Sequence, residues 1–193
     1  MSPEQIIELF KECTALKEGH FLLTSGRHSN RYLQCALVLQ YPAVAARLCA
    51  QLIKKIPDSK DIEVVIGPAL GGVTLAYEMA RQLNALSLFA EREDSVMTLR
   101  RGFQIKKGAK VLVVEDVITT GGSVRETIRV VEEQGGEVVG VASLVDRSNG
   151  KVELGVPLYS ALSMEVVSYP PEECPICKDR VPLVKPGSRK GPK

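Results

Sequence analysis

The sequence predicts an α/β fold on a mainly parallel sheet, and two observations carry this. Apolar strand segments at 63–67, 86–90, 111–114 and 137–145 alternate with helical patterns over 73–83 and 124–134, the order that makes βαβ units. Two of these strands also run straight into glycine turns, PALGG at 68–72 and TTGGS at 119–123, each followed by a helix. Strands covered by helices on both faces read as unbroken apolar runs, as VLVV does at 111–114. Ligands of such sheets bind beyond the carboxyl ends of the strands, so function is expected at those turns.

Composition bounds the rest. At 193 residues the chain fits one domain with a sizeable core. Apolar residues at 45% and charged residues at 25% are the balance of a soluble globular protein. A net charge of +2 gives no reason to expect nucleic acid or a membrane surface as partner. The opening MSPEQIIELFKE carries acids inside its apolar pattern, unlike a secretory signal. No apolar run approaches the ~18 residues of a membrane span. An odd count of five cysteines without a secretory signal predicts reduced thiols in a cytoplasm.

In chain order, residues 3–17 read as an amphipathic helix with Ile6, Ile7, Leu9, Phe10, Cys13 and Leu16 on one side, capped by Ser2 ahead of Pro3. Residues 19–32 read as strand, tight turn, strand with a basic polar tip, SGRHSNR, which composition alone makes a solvated hairpin. Residues 42–56 read as a helix opening at Pro42. The strand at 86–90 precedes an acidic stretch and a hairpin over 95–103, where Arg100, Arg101 and Gly102 are suited to fold over an anion. Asp146 and Arg147 end the strand at 137–145, and a turn and strand are expected within 151–169.

Beyond 169 an irregular tail is expected, disordered from Lys185, where four basic residues and no acids mix with Gly and Pro. Its Cys174-Pro175-Ile176-Cys177 supplies two thiolates, whereas structural zinc takes four ligands. Cys13, Cys35 and Cys49 lie in unrelated places, which leaves zinc shared between two chains as the metal reading. A redox role is disfavoured because a redox CxxC opens a helix after a strand.

The stretch at 111–124, VLVVEDVITTGGSV, carries the most chemistry. Gly121 and Gly122 let the backbone turn sharply and approach a ligand. Ser123 and Glu126 have capping-box spacing, which starts a helix there. The N–H groups of its first turn favour an anion, with hydroxyls from Thr119, Thr120 and Ser123 beside them. Glu115 and Asp116 would repel a phosphate and suit sugar hydroxyls or a divalent cation. A phosphorylated sugar satisfies both demands. The stretch is not a Walker loop, since GxxxxGK[ST] is absent.

This stretch closely resembles the 5-phosphoribosyl pyrophosphate (PRPP) signature of type I phosphoribosyltransferases. The match runs through Glu115, Asp116, Val117, Ile118, Thr119, Thr120, Gly121, Gly122 and Ser123. It implies that the acids lie along the ribose hydroxyls and that the turn takes the 5-phosphate. A second segment resembles the hood of orotate phosphoribosyltransferases, FxLxSGRxSxxY, through Phe21, Leu23, Ser25, Gly26, Arg27, Ser29 and Tyr32. Members of that family often carry lysine where this chain has Thr24 and Gly71, and some carry paired aromatics where it has Tyr32 and Leu33.

The resemblance covers the chain to about Tyr169. It implies a Rossmann-like phosphoribosyltransferase domain over 1–169, with a hood of about 1–35 plus part of 151–169. It further implies pyrophosphate at the turn of Leu70 and Gly71, PRPP contacts from Arg92 and Arg101, and catalytic roles for Asp116, Glu115 and Arg100. Orotate contacts fall to Thr119 and to Arg147, whose guanidinium can pair two hydrogen bonds with a carboxylate. The implied reaction transfers phosphoribose from PRPP to orotate. Mg2+ would be held mainly through PRPP near Asp116, with no direct protein ligand set. Active sites would be shared across a homodimer. A purine phosphoribosyltransferase and a non-catalytic PRPP-binding transcriptional regulator are the alternatives.

Overall fold

A computed structural model describes residues 1–23 and 25–186. The expectations for Thr24 and for the end of the tail over 187–193 fall outside the described residues. Among the described residues, nine strands form two sheets and six α-helices accompany them. The helices are α1 (Pro3–Glu12), α2 (Ala36–Leu39), α3 (Pro42–Ile53), α4 (Gly71–Leu83), α5 (Gly122–Glu133) and α6 (Pro175–Lys178). The main sheet holds β3 (Val64–Pro68), β4 (Leu86–Glu93), β5 (Val96–Leu99), β6 (Lys110–Ile118), β7 (Glu137–Asp146) and β8 (Leu158–Ser163). Its order is β5-β4-β3-β6-β7-β8, parallel throughout except for the edge strand β5.

The apolar strands are buried because both faces are covered. Leu112, Val114 and Leu144 pack with Leu75, Ala76 and Met79 of α4, Leu48 and Leu52 of α3, and Phe10 of α1. Val111, Val113 and Val141 pack on the opposite face with Val124, Ile128 and Val131 of α5. The chain steps from β3 outward through α4 to β4, then returns past β3 to begin β6. The connections leaving β3 and β6 therefore diverge to opposite faces. The crevice between them is the topological switch point where such sheets bind ligands.

The small sheet is the hood: β1 (Leu16–Leu22), β2 (His28–Leu33) and β9 (Ser168–Tyr169), antiparallel in the order β1-β2-β9. The tip is not merely solvated. Arg27 donates from Nε to Ser168 Oγ at 2.9 Å and from Nη2 to the Ser168 carbonyl at 2.6 Å, and Ser29 Oγ donates to the Val167 carbonyl at 2.8 Å. On the other edge, Val184 accepts from the Leu22 N–H at 2.9 Å and donates to the His20 carbonyl at 2.8 Å.

Several elements depart from expectation. The first helix stops at Glu12 rather than 17, because Thr14 turns left-handed (φ +54°) and the Ala15 N–H closes back on the Phe10 carbonyl; Leu16 reaches the same core from a strand. Its start is as expected, with Ser2 and Gln5 forming a reciprocal capping box. β6 runs on to Ile118, so Glu115 and Asp116 lie within the strand rather than beyond it. The tail is ordered into a 3-10 turn (Pro171–Glu173) and α6, with Cys174 buried.

Candidate active site

The site is built where β3, β6 and β7 end. After β3 the backbone must double back tightly to begin α4, and two glycines allow it. A Cβ on Gly67 would lie 2.6 Å from the Gly72 carbonyl oxygen, and one on Gly72 would lie 2.9 Å from Gly67 Cα. The intervening Ala69–Leu70 peptide is cis, and Leu70 is 88% exposed. Gly71 abuts Asp116: a Cβ there would lie 2.6 Å from Asp116 Oδ1. The turn after β3 and Asp116 of β6 therefore form one wall, and the missing side chain at Gly71 is what lets them touch.

Asp116 Oδ1 accepts the Val117 N–H at 2.9 Å, which orients the carboxylate at the strand end. Beyond Ile118 the turn is fixed by Gly121, left-handed at φ +74°, where a Cβ would strike Val152 at 2.7 Å and Arg125 Nη1 at 2.8 Å. Arg125 pins the turn by donating from Nη1 and Nη2 to the Thr120 carbonyl at 2.7 and 2.8 Å. Thr119 and Thr120 are exposed and line a cavity of about 540 Å³ with Arg125, Ser148 and Lys151.

The expected capping box is not formed. Gly121 is the N-cap of α5, and no side chain caps that terminus. Glu126 pairs instead with Arg92 of β4, and the Ser123 carbonyl accepts the Thr127 hydroxyl at 2.9 Å. A twelve-residue helix without a side-chain cap presents its first N–H groups to an anion.

At the end of β7 the two expected residues part company. Asp146 is fully buried and accepts from the Ser148 N–H at 2.8 Å, the Ser148 hydroxyl at 2.6 Å and the Gly150 N–H at 2.8 Å. It builds a turn instead of pairing with its neighbour. Arg147 is half-buried, and its Nε is buried with no hydrogen-bond partner among the described residues. Burial pulls the guanidinium below its ordinary pKa, opposed by Cys35 and Tyr32 close by. Cys35, fully buried, has its thiol pushed well up by burial and then by Asp116, while Arg147 acts the other way. One thiol thus senses both Asp116 and Arg147. Sequence reasoning set Cys35 aside, because only tertiary packing brings it here.

The loop arginines pair with carboxylates. Arg101 forms a two-armed pair with Glu91, 3.0 Å at each oxygen, and lies over the Phe89 ring at 5.5 Å. Arg100 reaches Glu93 at 3.1 Å, and Arg92 also donates to the Ser95 carbonyl at 2.8 Å. The β4–β5 hairpin brings these cations to the β4 side of the switch point.

Comparison with known proteins gives this arrangement a family. Residues 38–168 match the phosphoribosyl transferase domain. The chain is 62% identical over 190 residues to an orotate phosphoribosyltransferase of Caldicellulosiruptor bescii, covering 98% of this chain and 100% of that protein. The chain belongs to the orotate phosphoribosyltransferase family. Solved orotate phosphoribosyltransferases share the fold. That of Aeropyrum pernix superposes with a TM-score of 0.69 at 27% identity, over 82% of this chain and 93% of its own. That of Mycobacterium tuberculosis, in complex with inorganic phosphate, gives 0.64 at 28% identity, over 82% and 94%. The α/β class, the mainly parallel sheet and the enzyme family read from the sequence all hold.

Proposed function

We propose that the chain transfers phosphoribose from PRPP to orotate, giving orotidine 5′-phosphate and pyrophosphate. The choice of base rests on Arg147. A half-buried guanidinium, its buried Nε unpartnered among the described residues, stands at the end of the strand next to the acid pair. A carboxylated base offers this group two negatively charged oxygens in the geometry a guanidinium matches, which an uncharged purine does not.

In this reading Glu115 and Asp116 align the ribose hydroxyls, and the 5-phosphate lies at the turn of Thr119, Thr120 and Ser123 against the start of α5. Holding both ends of the sugar turns the displacement at its anomeric carbon into a positioned event. Positive charge grows on the ribose ring as the bond to pyrophosphate breaks and the bond to the base nitrogen forms. The neighbouring carboxylates stabilise that charge. Arg100 or Arg101 reaches the departing pyrophosphate by exchanging Glu91 and Glu93 for it. The hard oxygens of the acid pair suit magnesium, which, bound with PRPP near Asp116, would neutralise pyrophosphate charge.

The reading extends to a single catalytic domain over 1–169, a cytoplasmic location and a homodimer, for which exposed Leu70, Tyr77 and Tyr41 offer apolar contact surface. Among the described residues no helix is long and apolar enough to cross a membrane.

A base panel with PRPP and Mg2+ tests the reading. Selective consumption of orotate supports it, consumption of hypoxanthine or guanine overturns it, and PRPP binding without turnover overturns the enzymatic role. Arg147→Ala should raise the KM for orotate about ten- to a hundredfold, the worth of a hydrogen bond to a charged group, with the KM for PRPP little changed.

A further inference from the structure

The CxxC of the tail finds two partners that its own neighbourhood lacks. His20 and His28, the only histidines of the chain, meet Cys174 and Cys177 beside the hood hairpin, and one donor atom from each lies within 4.8 Å of all the others. We propose that His20, His28, Cys174 and Cys177 form a tetrahedral site for a structural zinc ion that straps the tail to the hood.

Four of the six donor–donor edges lie near those of a zinc tetrahedron, and all six fall within 4.8 Å. With zinc–nitrogen bonds of ~2.05 Å and zinc–sulfur bonds of ~2.3 Å, tetrahedral geometry sets nitrogen–sulfur edges of about 3.6 Å and a nitrogen–nitrogen edge of about 3.4 Å. Here His20 Nε2 lies 3.5 Å from Cys174 Sγ and 3.7 Å from Cys177 Sγ, and His28 Nδ1 lies 3.3 Å from Cys177 Sγ. The two ring nitrogens are 3.0 Å apart, so a slight spreading admits the ion.

The surroundings fit as well. His20 Nδ1 is 2.8 Å from the Val181 carbonyl, an oxygen that can only accept. The proton therefore sits on Nδ1, and the Nε2 lone pair points at the centre. This is the outer-shell arrangement that orients a metal-bound histidine. His20, His28 and Cys174 are 3%, 6% and 1% exposed, and Cys177 forms the outer face. Two thiolates and two neutral imidazoles bring a charge of minus two, which Zn2+ cancels, so no net charge is buried. Soft sulfur with imidazole in a closed four-donor shell selects zinc over magnesium or calcium.

The ion would join three stretches: His20 of β1, His28 of β2, and Cys174 with Cys177 around the start of α6. Val184, just beyond, is already hydrogen-bonded along β1. The site lies at the tip half of the hairpin, since His28 pairs with Leu22, whereas Tyr32 pairs with Lys17 nearer the core. It therefore fixes the hood without entering the catalytic crevice.

The test uses the untagged full chain, purified under reducing conditions and dialysed against metal-free buffer. Elemental analysis should find one zinc per chain, and Cys174→Ser/Cys177→Ser should lower it to background. The cobalt(II)-substituted wild type should show the visible bands of a tetrahedral site and a thiolate charge-transfer band in the near ultraviolet. That spectrum decides the matter even if the double variant does not fold. Three results would overturn the proposal: a wild type that stays zinc-free after reconstitution with Zn2+, stoichiometric zinc that survives loss of both thiols, or a Cys174–Cys177 disulfide in freshly purified protein by mass spectrometry.

Discussion

In the main sheet, Val65, Ile66, Val111, Leu112, Val113 and Val114 are all withdrawn from water, packed by α4 on one face and α5 on the other. In the hood the buried set includes His20, His28 and Ser29, and the contacts that close it are hydrogen bonds from Arg27 and Ser29 and the histidine–cysteine cluster. Apolar burial needs no partner beyond the chain itself and scales with area. Polar closure is directional and depends on each group finding its mate. The crevice lies between the two, with Asp116 anchored to the sheet and Tyr32 carried on the hood. Burial pushes the Tyr32 phenol up, and Arg147 draws it down.

Four substitutions or titrations separate these two kinds of stability. The largest effect should come from Leu112→Ala, which empties a fully buried position in the central strand. Denaturant unfolding should report a loss of about 2–5 kcal/mol, hood and sheet together. Next is Gly71→Lys, which drives a side chain into Asp116. An ångström-scale displacement of that carboxylate should cost about a hundredfold in kcat/KM for PRPP, with circular dichroism unchanged.

Arg27→Ala removes two hydrogen bonds to Ser168 and should cost about 1–3 kcal/mol. Hydrogen exchange should show the loss confined to β1, β2 and β9. The smallest effect is electrostatic. The Arg101 guanidinium, hydrogen-bonded to Glu91, holds that carboxyl below its ordinary value. Its folded pKa is depressed, so the contribution is present above the unfolded value of ~4.3 and fades as pH falls through the folded one. A carboxyl NMR titration should find the Glu91 midpoint raised toward the ordinary value in Arg101→Ala.

What could be read from the chain follows the same division. The stretch from Val111 to Val124 is contiguous, and its strand, acids and glycines each act on near neighbours, so fold and candidate chemistry were both legible there. The Ser123–Glu126 spacing misled because Arg92, from another strand, takes the Glu126 carboxylate. The end of α1 was misplaced because Thr14 turns left-handed where periodicity sees only another polar residue. His20 and His28 lie 154 and 149 residues from their cysteine contacts, so no local pattern announced them. The one available signal was that both histidines fall in the same hairpin.

The topology of the small sheet also fixes an order of events. β1 and β2 leave the ribosome long before β9 and Val184, which cover their two edges. The nascent hairpin therefore waits with both flanks bare while the whole parallel sheet is translated beside it. Such flanks are templates for pairing with other chains. Synthesis halted before about residue 165 would leave a nearly complete sheet carrying an adhesive edge, and that product should aggregate rather than persist as a smaller enzyme.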